Sequence, residues 1–321
     1  MISTAFYHII VAMKKVLLLL VIGFMVSGIC AESAHAGIIS TWKENAAVRK
    51  ELKNTEKEIK ACFELQIKYS NEHNWDKLKE FYADKYRNSD AFDKNTTFKI
   101  IKENYETYPD LKMALQINML DVNGDFATVN VYEYAEAHDI KRDDLEDLTG
   151  DLEAFAHTIY FLEKIDGKWL ITAEQAIEEN NSIIFGEAKY LDLKLTAPMI
   201  VGAGESYSST LSINNLPRQA LVMGAITQSP AVFPLKEDEE SYRVLEDVEL
   251  ERIFTANKDN INEYNIASIG ITRGQPIPDG AVKLYMSGLA FMMTRVNVIP
   301  ENKFFQPADN DDDDGENDDK D

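Results

Sequence analysis

The stretch MALQINMLDVNGDFATVNVYEYAEAH, residues 113–138, decides the fold of the first half of the chain. Apolar residues alternate with polar or smaller ones before Asn123-Gly124, and Val129 and Val131 lie on the returning segment. An Asn-Gly pair between two such runs is a strong signal for a tight β-hairpin. We therefore predict two long antiparallel strands joined at this turn.

A second hairpin follows the first. Residues 154–165 and 169–176 read as strands, and Asp166-Gly167 is the turn between them. Helical patterns come earlier in the chain: apolar residues recur at helical spacing from Val48 to Ile67, and two shorter helices follow before Pro109. Helices followed by an antiparallel meander indicate an α+β arrangement.

Two motifs in this half resemble the NTF2-like superfamily, in particular its SnoaL and ketosteroid isomerase-like members. Residues 74–84, NWDKLKEFYAD, are similar to the second-helix signature, and residues 163–171, EKIDGKWLI, are similar to the last hairpin. The resemblance implies an α+β cone over residues 45–183, in which a curved antiparallel sheet wraps helices and a pocket opens at the wide end. It also implies a sheet face through which a homodimer could form. The superfamily contains isomerases, cyclases, dehydratases and members without catalysis, so this fold alone does not define a function.

The texture of the chain changes near residue 185, after which short strands and turns dominate. The alternation of Leu191, Leu193 and Leu195, the turn at residues 197–205 and the strand at residues 207–213 are similar to the opening of bacterial immunoglobulin-like domains. About seven short strands are expected for that fold. We therefore predict a second domain, an all-β sandwich, over residues 188–301.

The N-terminal residues 1–36 have the three parts of a secretory signal peptide. Lys14 and Lys15 precede an apolar run over residues 16–26, and Ala34-His35-Ala36 fits a peptidase site. The true start could be Met13. We expect an exported protein, periplasmic or extracellular, without a membrane span once the signal peptide is cleaved.

The C-terminal residues 308–321 form an acidic tail that we expect to be disordered, because no apolar residue follows Ala308. Its Asp spacing resembles the start of a calcium loop, and whether it binds calcium stays open. The whole chain carries a formal charge of −22, which argues against nucleic acid as a partner.

Catalytic and cofactor motifs are absent from the sequence. It has no phosphate-binding glycine loop, no nucleophile elbow and no His/Cys spacing typical of a metal site. We therefore assign no metal, no cofactor and no catalytic residue.

A small-molecule ligand is a candidate partner for the cone, and the resemblance places Asp90 where ketosteroid isomerase-like proteins carry a carboxylate base. Gln66 falls where a tyrosine donor would lie, and His157 could face the cone interior. An apolar helix stripe surrounds Gln66, which therefore needs a polar partner. Each residue also has a structural reading: a turn for Asp90, a satisfied core position for His157 and a backbone contact for Gln66. The ligand-pocket candidates are Gln66, Tyr82, Asp90, Tyr132 and His157.

These observations favour an exported, non-catalytic binding or scaffold protein with an NTF2-like pocket or dimerisation domain and a β-sandwich module. Two alternatives stay open. One is a small-molecule enzyme of isomerase, cyclase or dehydratase type that uses the pocket. The other is a purely structural envelope component whose pocket is filled by side chains.

Overall fold

The structure is a computed structural model that describes residues 38–141, 148–235, 241–245, 248–278 and 280–301, with side chains from Arg49 onward. The predicted signal peptide, residues 1–36, and the predicted acidic tail, residues 308–321, lie outside the described residues.

Three α-helices precede or interrupt the first strands. They are α1, Ile38–Asn71; α2, Trp75–Lys79; and α3, Lys94–Thr107. The side chain of Asn74 caps α2, and that of Asp93 caps α3 by accepting from the Thr96 N–H at 2.8 Å. A short 3-10 helix spans Glu187–Tyr190.

Thirteen strands are seen in the described residues. In chain order they are β1, Tyr82–Asn88; β2, Lys112–Asn123; β3, Phe126–Ile140; β4, Gly150–Ile165; β5, Lys168–Gly186; β6, Asp192–Thr196; β7, Ile200–Gly202; β8, Ser206–Asn214; β9, Ala220–Pro230; β10, Arg243–Val244; β11, Glu249–Thr255; β12, Glu263–Pro276; and β13, Val282–Ile299.

One large sheet contains ten of these strands. Its main path is β10-β9-β12-β13-β5-β4-β3-β2. In addition, β1 pairs in parallel with β5, and β7 pairs in parallel with β13. The remaining strands form a small sheet of order β11-β8-β6. The prediction of an α+β cone followed by a separate all-β sandwich is therefore wrong, because strands from both halves share one sheet.

The two halves join along β5, which has 19 residues and changes partner partway along. β1 pairs with its first part, as far as Glu174, and β13 pairs with its second part, from Asn180 to Gly186. Irregular pairing with β4 near Thr172 and Ile177 marks β-bulges, which bend a strand while keeping its core face inward. The change to short strands and turns near residue 185 thus coincides with the turn at the end of β5. The boundaries 45–183 and 188–301 stay a prediction.

The two faces of the large sheet are covered differently. The helices pack on one face, called here the inner face, where Ile59 and Phe63 of α1 contact Val129 and Val131 of β3. The small sheet packs on the opposite, outer face, over β9, β12, β13 and the end of β5 at Ile184. The outer face of β2 to β4 and of the rest of β5 is left without a covering layer among the described residues.

No helix in the described part of the chain is long and apolar enough to cross a membrane.

We predict that Gly186→Ala lowers the free energy of unfolding more than Gly124→Ala does. Both glycines have positive φ, +54° and +60°. A methyl group at Gly186 would collide with the carbonyl oxygen of Ser287 on β13, whereas Gly124 has open space around it. Urea unfolding should show a loss of about 1 kcal/mol for Gly124→Ala and at least about 2 kcal/mol more for Gly186→Ala. Equal losses would mean that the β5–β13 junction is not closely packed at Gly186.

Candidate functional site

A buried ion pair joins the loop after β1 to β13. The guanidinium of Arg295 donates to both carboxylate oxygens of Asp90, at 2.7 and 3.1 Å, and the two side chains are 0% and 1% exposed. Asn262 donates to Asp90 at 2.8 Å from the loop before β12. Both carboxylate oxygens of Asp90 are therefore engaged by the protein itself.

Glu179 of β5 completes this cluster. It accepts from the Tyr264 hydroxyl at 2.8 Å and lies 3.4 Å from Arg295. Burial raises the pKa of the Glu179 carboxyl well above its ordinary value, although Arg295 opposes the shift. Burial alone would lower the pKa of Arg295, but Asp90 and Tyr264 raise it, so the guanidinium stays charged. The cluster thus holds one guanidinium between two carboxyl groups, and burial favours the neutral form of Glu179.

In this arrangement Asp90 is poorly placed to act as a general base. A base must have a lone pair directed at the proton it removes. Here both oxygens point at Arg295 and Asn262 in a site closed to solvent. The geometry instead gives Asp90 a structural part in holding β1, β12 and β13 together.

A second group of buried polar residues lies between α1 and the sheet. Gln66 and Tyr82 line a cavity of about 40 Å³ together with Glu133 and Tyr160. That volume holds a few water molecules at most. The Gln66 side-chain nitrogen is buried without a protein partner, as expected for a group that bonds to water in such a cavity.

Glu133 and Glu174 make this region unusual electrostatically. Glu133 accepts from Thr158 and from Tyr160, each at 2.8 Å, and burial raises its pKa. Burial and then repulsion from Glu133 raise the pKa of Glu174 to about 8. Glu174 is therefore largely protonated at neutral pH. Carboxyl groups with raised pKa values often mark active sites, but the cavity beside them is too small for an organic substrate.

Tyr132 and His157 lie on the outer face, away from the cavity. They are cross-strand partners on β3 and β4, with ring centroids 5.0 Å apart. The His157 Nε2 atom lies 3.0 Å from the Asn130 side-chain oxygen. Of the five candidate residues, the structure thus brings Gln66 and Tyr82 together and places Asp90, Tyr132 and His157 elsewhere. Ligand binding at these residues stays a prediction.

A groove of about 860 Å³ runs where the uncovered outer face meets the small sheet. Residues of β6, from Leu193 to Thr196, form one wall. The floor consists of two cross-strand rows on the outer face. The first row is Lys112, Glu136, Glu153, Ser182 and Met292, and the second is Ala114, Tyr134, Phe155, Asn180 and Thr294.

Aromatic rings form a ladder along this floor and beyond it. The Tyr134 and Phe155 centroids are 5.5 Å apart, and those of Phe155 and Tyr132 are 6.0 Å apart. Met199 also lines the groove, and its carbonyl accepts from the Asn297 backbone N–H at 2.9 Å. The groove therefore combines exposed ring faces with polar and charged side chains on a rigid sheet.

Sequence reasoning missed Glu133, Glu174, Glu179 and Arg295. A signal existed for Glu133, because it shares the parity of Val129 and Val131 and so points to the inner face. The bulges in β5 hide the parity of Glu174 and Glu179. In the described residues, no group of three or more His, Cys, Asp or Glu side chains could hold a metal ion.

We predict that Arg295→Met destabilises the protein by about 3–5 kcal/mol, the usual result of removing one partner from a buried ion pair. The double variant Arg295→Met with Asp90→Leu should recover much of this loss, because it removes the uncompensated charge. Denaturant unfolding of the three proteins tests this. A single variant as stable as wild type would show that the pair does not hold the sheet together.

We predict that Glu174→Gln flattens the pH dependence of stability. With its pKa at about 8, folded Glu174 keeps a proton that the unfolded chain releases above about pH 4.5. Wild-type stability should therefore fall as the pH rises from about 5 to 8, by up to about 1.4 kcal/mol per pH unit from this group. Urea unfolding at each pH should show that the variant lacks this part of the slope. The exposed Glu251→Gln is the control, and equal slopes in all three proteins would contradict the assignment.

No protein-family model matches the chain, and no curated protein matches it. Solved structures of NTF2-like and SnoaL-like type overlap about 40% of it at low sequence identity. A conserved protein from Planctomyces limnophilus overlaps 38% of this chain and 94% of its own, at 10% identity and a TM-score of 0.33.

Two other solved structures show similar overlap. A candidate scytalone dehydratase from Novosphingobium aromaticivorans covers 40% of this chain and 86% of its own, at 12% identity and a TM-score of 0.32. A candidate polyketide cyclase from Streptomyces antibioticus covers 37% and 89%, at 13% identity and a TM-score of 0.29. Likenesses at this level assign no activity to the chain, and the immunoglobulin-like resemblance of the second half is not confirmed.

Proposed function

We propose that this chain is an exported binding or scaffold protein that works through the groove on the outer face of its large sheet. The observation that carries the proposal is the contrast between the two sides of the sheet. On the inner side the polar groups are enclosed around a cavity of about 40 Å³. On the outer side an open groove of about 860 Å³ offers exposed side chains.

The size and lining of the groove suit binding. Ligand sites in proteins usually have volumes of about 300–1,000 Å³, with an apolar or aromatic surface and a few placed polar groups. Tyr134 is 44% exposed and packs beside Phe155, while Asn180 and Ser182 supply polar groups on the next strand. Because these residues lie on paired strands, little ordering is needed on binding.

Export and self-association belong to the same proposal. Export rests on the signal-peptide pattern in residues 1–36. The uncovered outer face of β2 to β5 could also hold a second copy of the chain, as expected for a scaffold. A homodimer seated there would compete with any ligand for Tyr134.

A small-molecule enzyme is the second candidate, and one observation favours it. Glu174, with a pKa of about 8, lies near Glu133 behind the small cavity, and such a pair could exchange protons. This activity would require the cavity to open well beyond its present volume.

The experiment is a binding screen with amide-resolved NMR on the purified chain, using soluble oligosaccharides, short peptides and small aromatic acids as probes. We expect at least one probe class to bind, with shifts at residues 134, 155, 180 and 194. Tyr134→Ala should weaken that binding about tenfold or more, as the loss of a central aromatic contact does.

Phe126→Ala is the matched control, because Phe126 is an exposed aromatic on the same strand and the same face but outside the groove. It should leave binding unchanged. If no probe class binds, or if the shifts surround Gln66 and Glu133 instead, the proposal is wrong, and the second result would favour the enzyme.

A further inference from the structure

We propose that the occupant of the groove is an extended, positively charged peptide segment that adds to the small sheet as a fourth strand beside β6. This inference rests on the proposed function and names its ligand class. Two independent features carry it: the backbone edge that β6 presents to the groove, and the carboxylates on the groove floor.

β6 is an edge strand, because the small sheet has the order β11-β8-β6 and β6 pairs only with β8. The register shows which of its backbone groups are free. Ile213 of β8 donates its N–H to Val248 on the β11 side, so this residue points away from β6. Leu193 lies directly opposite Ile213. In an antiparallel pair, a residue opposite such a position directs its own N–H and C=O outward.

The same alternation directs the N–H and C=O of Leu195 to the free edge. The side chains of Leu193 and Leu195 pack into the core between the two sheets, so they do not cover this edge. Both residues also line the groove. β6 therefore presents two donors and two acceptors, spaced about 6.6 Å apart, to whatever lies in the groove.

The floor of the groove carries excess negative charge. Glu136 and Glu153 are directly opposed on β3 and β4, and both are exposed. Like charges in that position are unfavourable. Glu178, which is half-buried, also lines the groove, and its exposed cations are Lys112 and Lys194, so three carboxylates face two ammonium groups. A cationic side chain placed over Glu136 and Glu153 would relieve their repulsion.

Only another polypeptide backbone matches the spacing of the groups on the β6 edge. Strand addition to an open edge is a general mode of peptide recognition, in which the backbone supplies affinity and alternate side chains supply specificity. A strand laid along β6 would direct alternate side chains toward the floor, where the charged ends of lysine or arginine would meet the paired glutamates and their aliphatic stems would meet Tyr134 and Phe155. A glycan could stack on these rings but would leave the β6 edge unpaired.

The test uses a nine-residue peptide of alternating lysine and valine with blocked ends, mixed with the purified full chain. Fluorescence anisotropy measures the dissociation constant, and hydrogen exchange measures protection of the β6 amides. We expect binding that weakens with salt, together with slower exchange at residues 193–195. The matched ligands are an alternating glutamate and valine peptide and the lysine peptide N-methylated at its four central residues. Both should bind at least about tenfold more weakly.

Two variants locate the site. Leu193→Pro removes one outward N–H while leaving the β6–β8 hydrogen bonds in place, so it should weaken binding about 3- to 10-fold. Glu136→Lys should weaken binding and reduce its salt dependence, whereas Glu251→Lys on β11 makes the same charge change outside the groove and should do neither. If Leu193→Pro fails to fold, the N-methylated peptide tests the same hydrogen bonds.

The outcomes separate this inference from the proposed function. If oligosaccharides or aromatic acids shift the groove amides and the lysine peptide does not bind, the peptide inference is overturned and the groove remains a binding site. Binding of the lysine peptide without protection of residues 193–195, or equal binding of the N-methylated peptide, also overturns strand addition. If no probe of any class binds the groove, both proposals fail.

Discussion

The buried pair of Arg295 and Asp90 is the interaction on which the architecture depends. It lies where β5 exchanges β1 for β13 as its neighbour, and Glu179 of β5 contacts it there. An uncompensated charge at this depth would cost several kcal/mol, so the loop after β1 and the end of β13 must meet. The pair acts together with the backbone pairing of β5 and β13, which joins the two halves of the chain into one sheet.

A single sheet with different covers on its two faces also separates structure from binding. The helices close the inner face, so Asp90, Glu133 and Glu174 lie against protein partners or beside a water-sized cavity. The small sheet covers the outer face only from the end of β5 onward, so its edge strand β6 lies beside strands that have no cover. The groove is a consequence of that incomplete cover, and its rings, carboxylates and free backbone groups give it binding chemistry.

Local sequence patterns predicted many of the helices, strands and turns, but they did not predict the contacts between residues far apart in the chain. The hairpins at Asn123-Gly124 and Asp166-Gly167 were confirmed, since turn chemistry acts over a few residues. The sequence did not predict that the two halves share a sheet. Asp90 and Arg295 are 205 positions apart, and no local sequence pattern indicates that they pair. The site candidates followed a family resemblance for Asp90 and Gln66, whereas the groove arises from strands of both halves and has no contiguous sequence signature.

The most direct test of the central claim is a crystal structure of the chain grown with the lysine and valine peptide. The account predicts density for an extended backbone beside β6, hydrogen-bonded to Leu193 and Leu195, with a lysine side chain over Glu136 and Glu153. It also predicts that the inner cavity beside Gln66 and Glu133 holds only water. Peptide or other ligand density in that cavity, with an empty groove, would contradict it.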